Sequence, residues 1–317
     1  MMGSAMQFFS RFTLRAAVVA LLLLLSVAPK VSAQLVLPFV PELDDVPINA
    51  FSYAGFVDGA VPMSTFRLRV EGAYDSNRPT RAEYFMPGEG RTMRGLPLPE
   101  RRIDYQEVHA YGEYAFSERV SVFLDVPTRF LDPTFNQNHI GLSDLQVGVK
   151  YAFLQQGPLT SSVQIRTYIP TGKAEDGLGT GHVSAEPGIL FLWEQSAKWR
   201  IEGEVHAWVP IDDERYGSEI IRYGLATSYG ERNPDGLWFT PIIEGQGWYV
   251  IRGRETIAFS TRSSRVASSR DDTIINGNLG VRAGWGTLGD VYVGYSRALT
   301  GEVLYKDMFR VELRWFY

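Results

Sequence analysis

The sequence predicts an all-β chain: a transmembrane antiparallel β-barrel of about twelve strands, with short turns at one end and long loops at the other. Three observations carry that prediction. From position 65 to the last residue, apolar and polar side chains alternate in runs of about ten residues. That is the period of a strand and the length a tilted strand needs to cross a bilayer. The connections between runs are alternately short and long. Aromatic residues gather at the run ends, at Tyr74, Tyr105, Phe116, Phe153, Trp193, Trp199, Tyr229, Trp285 and Tyr317. Amphipathic rings sit at the headgroup level of a membrane. Because lipid offers no hydrogen bonds, every strand must be paired, so such a sheet closes on itself.

The last run, DMFRVELRWFY (307–317), shows the pattern most clearly. Phe309, Val311, Leu313, Trp315 and Tyr317 share one face, and Met308, Arg310, Glu312, Arg314 and Phe316 the other. Chain ends usually fray, so an apolar strand that stops on an aromatic residue is unusual for a soluble sheet. The ending resembles the terminal strand of bacterial outer-membrane barrels. That resemblance implies recognition of 307–317 by the barrel assembly machinery.

Composition agrees. The 317 residues are 13% aromatic and include 31 glycines, which suits strands and tight turns. The absence of cysteine excludes disulfides, Cys-ligated metals and thiol nucleophiles. Residues 1–33 read as a cleaved signal peptide: Arg11 and Arg15, the apolar core AAVVALLLLLSV, then Val31-Ser32-Ala33 before Gln34. This segment carries three cations and no acid, so its removal takes the net charge from −5 to −8. An acidic exported chain is a poor match for nucleic acid. An uncleaved membrane anchor is the alternative, against which the short core and the cleavage site both speak.

The expected domain order is 1–33 signal, 34–64 an irregular lead-in or plug, and 65–317 the barrel. The stretch 34–64 is apolar, contains prolines and has no sustained period. It reads as a periplasmic lead-in, with a plug folded into the lumen as the other reading. Strands are then expected at 65–74, 105–116, 120–128, 143–153, 159–169, 185–193, 199–209, 220–229, 237–249, 273–285, 290–298 and 307–317. Residues 129–142 and 250–272 read as loops. The phase of 237–249 is weak, with Phe239, Ile243 and Tyr249 outward and Glu244 and Gln246 inward.

Two stretches resemble a known family. GLSDLQVGVKYAF (141–153) and IRTYIPTGKAEDGLGTGHVSAEPGILF (165–191) are similar to a strand and the following hairpin of the putative outer-membrane channels named for the phenol meta-cleavage degradation pathway. The resemblance implies an outer-membrane location and a role in passing small organic compounds. It says more about architecture than about solute.

If the apolar faces meet lipid, the other faces line the lumen. They bring Arg67, Arg69, Lys150, Arg166, Arg200, Arg222, Arg282, Arg310 and Arg314. They also bring Glu71, Glu107, Glu113, Asp125, Asp144, Glu186, Glu202, Glu204, Glu244 and Glu312, with His109 and His206 among them. The signs nearly balance. Such a lumen is either a narrow mixed-charge passage or an interior filled by its own ion pairs. Across the closing seam, Arg310 and Arg314 are expected beside Arg67 and Arg69 as a basic strip where an anionic solute pauses. An outer-membrane hydrolase would need a Ser–His pair near the outer rim. His109 and His206 fall instead in charged inward rows, so no enzyme is expected. Gly177–Gly181 lacks the lysine of a phosphate loop, and Asp212-Asp213 and Asp271-Asp272 are weak as calcium ligands, so neither cofactor nor metal is expected. The reading is a passive channel for small organic solutes, hydrophobic or aromatic ones among them. It would be embedded in outer-membrane lipid and lipopolysaccharide of a Gram-negative-type bacterium. A filled barrel acting through its loops is the alternative.

Overall fold

The computed structural model describes residues 51–76, 96, 103–211, 217–260, 263–301 and 303–317. The expected signal peptide, residues 34–50 and the pair Asp212-Asp213 lie outside the described residues. The strands are β1 (Thr65–Ser76), β2 (Ile103–Ser117), β3 (Val120–Pro133), β4 (His139–Leu142), β5 (Leu145–Gln156), β6 (Leu159–Ile169), β7 (Ser184–Glu194), β8 (Trp199–Pro210), β9 (Glu219–Tyr229) and β10 (Leu237–Arg252). Then come β11 (Arg254–Ser260), β12 (Ser263–Ser268), β13 (Thr273–Trp285), β14 (Gly289–Ala298) and β15 (Asp307–Phe316).

Twelve of these strands form a closed antiparallel barrel of the outer-membrane type. Each pairs with its neighbour in chain order, and β15 returns to pair with β1. Closure leaves no edge to solvate, which is the condition for a sheet in lipid. At the seam Arg67 lies opposite Arg314, Arg69 opposite Glu312 and Glu71 opposite Arg310. The last residue is tied in as well. The Tyr317 N–H donates to the Ser64 carbonyl (3.3 Å) and its hydroxyl to the Glu113 carbonyl (3.1 Å).

Alternation along each strand separates two environments. Leu279, Phe239 and Trp285 are 60%, 68% and 71% exposed on the outer face, while Glu244, Asn278 and Arg282 on the same strands are buried. The weakly phased strand β10 follows the expected phase: Phe239, Ile243 and Tyr249 are exposed, and Glu244 and Gln246 are buried. An apolar exposed face and a polar buried one invert the pattern of a soluble sheet, as a barrel in lipid requires.

Two expected loops contain strand. β3 runs on to Pro133, and β4 pairs with that extension from Thr128 to Leu131. Within 250–272, β10 extends to Arg252, and β11 and β12 form a separate two-stranded sheet. A ribbon outside the barrel wall has no lipid-facing side, so no alternation of apolar residues marks it.

The short connections are 118–119, 157–158, 195–198, 230–236 and 286–288, and the chain end lies with them. In barrels of this type that end faces the periplasm. Leu279 lies midway along β13 on the lipid face. Leu279→Arg should therefore cost about 2–4 kcal/mol of folding stability in vesicles, against about 0–1 kcal/mol for Trp285→Arg at the rim. Urea titration of the two variants refolded into bilayers measures the difference.

Candidate functional site

The site is the lumen, and residues 51–64 occupy part of it. Phe51, Ala60, Val61 and Met63 pack with Leu190, Leu192 and Phe316 near the short-turn end. From there the segment rises to Phe56–Asp58 and returns to β1. Among the described residues no strand pairs with its backbone. Inward carboxylates and guanidiniums do so instead. Glu202 accepts from the N–H groups of Tyr53 (2.8 Å) and Ala54 (3.0 Å). Glu244 accepts from Gly55 (3.0 Å), Phe56 (2.9 Å) and Val57 (3.0 Å). Glu204 accepts from Asp58 (2.8 Å). Arg282 donates to the carbonyls of Tyr53 and Ala54, Arg314 to Ser52 and Arg310 to Gly55. A side chain on Gly55 would collide with the Tyr292 ring, its Cβ falling 2.1 Å from the ring carbon Cζ. A lead-in hanging in the periplasm therefore does not describe 51–64. The segment satisfies its orphan backbone on the inner wall, as buried backbone must.

The wall charges fall into four groups. Near the short-turn end, Lys150 reaches Glu113 (3.2 Å), which also takes hydrogen bonds from Ser121 and Tyr111 and lies 3.7 Å from Arg67. Asp290 binds Arg282 (2.6 Å) and Arg314 (2.7 Å), and Arg282 also holds Glu312 (3.0 Å). Around the tip of the plug, Asp58 takes Arg166 (2.7 Å) and Arg222 (2.8 Å). Both guanidiniums also hold Glu186, and Arg222 reaches Glu204 (3.1 Å). On the opposite wall Arg129 holds Glu107 (2.9 Å), Arg69 and Arg310 hold Glu71, and His109 meets Asp125 (3.0 Å).

These wall side chains are buried or half-buried, and Asp144 has a role of its own. Its buried carboxylate accepts from the Gly172 N–H (3.1 Å) and from the N–H and hydroxyl of Thr180 (2.8 and 2.6 Å), anchoring the glycine-rich loop. Arg200 donates to the Gly230 carbonyl (3.0 Å) and lies over the Tyr53 ring. Its neighbour in the 230–236 turn, Arg232, lies over the rings of Phe51, Trp238 and Phe316. Burial lowers the pKa of the Arg232 guanidinium from its ordinary value, against the opposing pull of Asp290.

The basic strip expected at the seam is corrected. Arg310 is neutralised by Glu71, Arg69 by Glu71 and Asp125, and Arg314 by Asp290, a residue on β14. Arg314 is also 2% exposed. Cations so buried need partners, and the neighbouring strands supply them.

Between the plug and the long-loop end lies a cavity of about 190 Å³. Its floor is Phe56–Gly59 with the Arg166, Arg222 and Arg310 heads, and its upper wall is Tyr105, Tyr168, Trp208, Trp248, Leu304 and Met308. Sequence reasoning missed Asp58, which lies in a stretch without period, and Asp290, which opens its strand. It also missed Arg129, although period-two burial continues through Arg129 and Leu131 and so held the signal.

Residues 103–221 match the family described as "Putative MetA-pathway of phenol degradation". Among solved structures, the COG4313 outer membrane channel from Pseudomonas putida F1 superposes with a TM-score of 0.51 at 12% identity, covering 86% of this chain and 98% of that one. This chain is an outer-membrane β-barrel resembling that putative channel family. The NanC porin (TM-score 0.48, 12% identity, 79% of this chain and 99% of that one) and the KdgM porin (0.42, 8%, 80% and 99%) are more distant in shape. No curated protein matches the chain. At these identities the likeness is one of fold.

Two outcomes follow from the barrel's inner bonds. Arg314→Gln should lower stability by about 3 kcal/mol, because it strips a buried carboxylate of one partner. Denaturant midpoints of refolded barrel measure this. Glu244→Gln weakens three N–H bonds to the plug tip, about 1.5 kcal/mol or roughly tenfold in opening. The chain has no cysteine. A V57C reporter should then react about tenfold faster with a water-soluble maleimide when Glu244→Gln is also present.

Proposed function

We propose that the protein is a passive outer-membrane channel for small organic solutes, with aromatic and hydrophobic compounds within its range. The observation that carries this is the cavity itself. It opens a space beside the plug, apolar at its upper wall and charged at its floor. A solute with a ring and one polar group finds complementary surface on both sides of that space. The balanced ion pairs of the wall favour weak ion selectivity over a strong preference for one sign. The fold likeness to a protein described as an outer membrane channel supports the same reading. On this reading the barrel is exported by its signal peptide and assembled through 307–317. It sits among lipid and lipopolysaccharide and acts on nothing covalently.

The filled barrel acting through its loops is the second reading, and residues 51–64 favour it because they occupy the lumen. Planar-bilayer recordings separate the two. The purified chain should pass small discrete currents, and deletion of 51–59 should raise them severalfold. No current from either form would sink the channel reading.

A further inference from the structure

The lumen contains two His–carboxylate clusters whose ligand atoms converge, and they differ in one respect. In the first, Glu71, Glu107 and His109 meet. There the Nδ1 atom of His109 is bonded to Asp125 (3.0 Å), and Arg69, Arg129 and Arg310 supply a cation for every acid. Its histidine is therefore anchored through Nδ1, and only Nε2, 3.5 Å from Glu107, lacks a hydrogen bond. The second brings together Asp58, Glu204 and His206, with one ligand atom from each within 4.8 Å of the others. His206 is 1% exposed, yet neither ring nitrogen makes a hydrogen bond. An imidazole without a partner at that depth is costly unless something else binds it.

The ring is held in one orientation. It lies over Gly188, where a Cβ would sit 2.1 Å from Nδ1. Only glycine there leaves room for it. Nε2 is on the other side, 3.4 Å from Glu204 Oε2 and 3.8 Å from Asp58 Oδ2. Those are long for hydrogen bonds. The Glu204 separation matches the edge of a metal tetrahedron, since bonds of about 2.1 Å place two ligands roughly 3.4 Å apart, and the Asp58 separation is wider. The local charge also attracts a cation, although Asp58 Oδ2 is already held by Arg166 and Arg222. Asp58, Glu186 and Glu204 face two cations, Arg166 and Arg222, which leaves one negative charge in excess. The third ligand, Asp58, comes from the plug and borders the cavity, while Glu204 and His206 lie buried behind it.

We infer that Asp58, Glu204 and His206 form a binding site for a first-row divalent cation of the zinc type, which clips the tip of the plug to the barrel wall. One imidazole and two carboxylates with an open position suit Zn²⁺ better than Mg²⁺ or Ca²⁺, which take oxygen shells. The site exists whether or not the barrel conducts, so its test does not depend on current. The full-length untagged barrel, refolded in detergent and stripped with chelator, is titrated with Zn²⁺, and bound metal is read by calorimetry and by elemental analysis after gel filtration. One equivalent is expected for the unaltered chain. H206A and E204Q should each weaken binding at least tenfold, and H109A should leave it intact. Heat-modifiable gel mobility shows that each variant has formed its barrel. With Zn²⁺ bound, a V57C reporter should also label more slowly, and this protection should vanish in H206A. Absence of a bound equivalent, or an equivalent that survives both H206A and E204Q, overturns the site. So does protection of V57C that depends on pH alone and not on added Zn²⁺, since His206 would then be a protonated latch.

Discussion

The charges of the inner face must all be compensated inside a closed wall, and much of the rest follows from that. A soluble protein leaves its arginines and glutamates in water. Here the lipid takes the apolar face, so the charged face turns inward. Isolated, each buried carboxylate would carry a desolvation cost of several kcal/mol. The barrel answers by register. Arg310 falls opposite Glu71, Arg129 opposite Glu107, and Arg314 opposite Asp290. Cross-strand placement brings the partners together without long side chains having to search for each other.

Three acids do not spend themselves on guanidiniums alone. Glu202, Glu204 and Glu244 accept backbone N–H groups from residues 53–58. An irregular segment inside a barrel has orphan donors and acceptors all along its length. The wall supplies an excess of acceptors on β8 and β10 and of donors on β13 and β15, through Arg282, Arg310 and Arg314. Plug and wall therefore complete one another. The question of whether the lumen is open or filled becomes a question of how firmly those bonds hold.

How much was legible depended on whether a residue's role was local. Strand positions, the closing pair and the outward phase of Phe239 and Leu279 follow from alternation, which neighbouring residues carry between them. Inward placement of Arg67, Glu204 or His206 follows from the same rule. Pairing does not, because Arg314 meets Asp290 on one neighbouring strand while Arg67 faces it on the other. The expected basic strip failed on that point. Trp208 and Trp248 were hidden for another reason. They share the inward phase of His206 and Gln246, but alternation gives no sign that two rings from different strands border one cavity.

By itself the sequence determined the class of fold, the number and order of staves, and which faces meet lipid. Each of these rests on a period-two pattern that acts over a few residues and needs no knowledge of the partner strand. Only the tertiary structure decided where residues 51–64 go, which cation serves which acid, and that His206 is left facing Asp58. Several of those outcomes join positions more than a hundred residues apart in the chain, as Asp58 with Arg166 and Arg222. Register and barrel closure set such distances, and no local pattern records them.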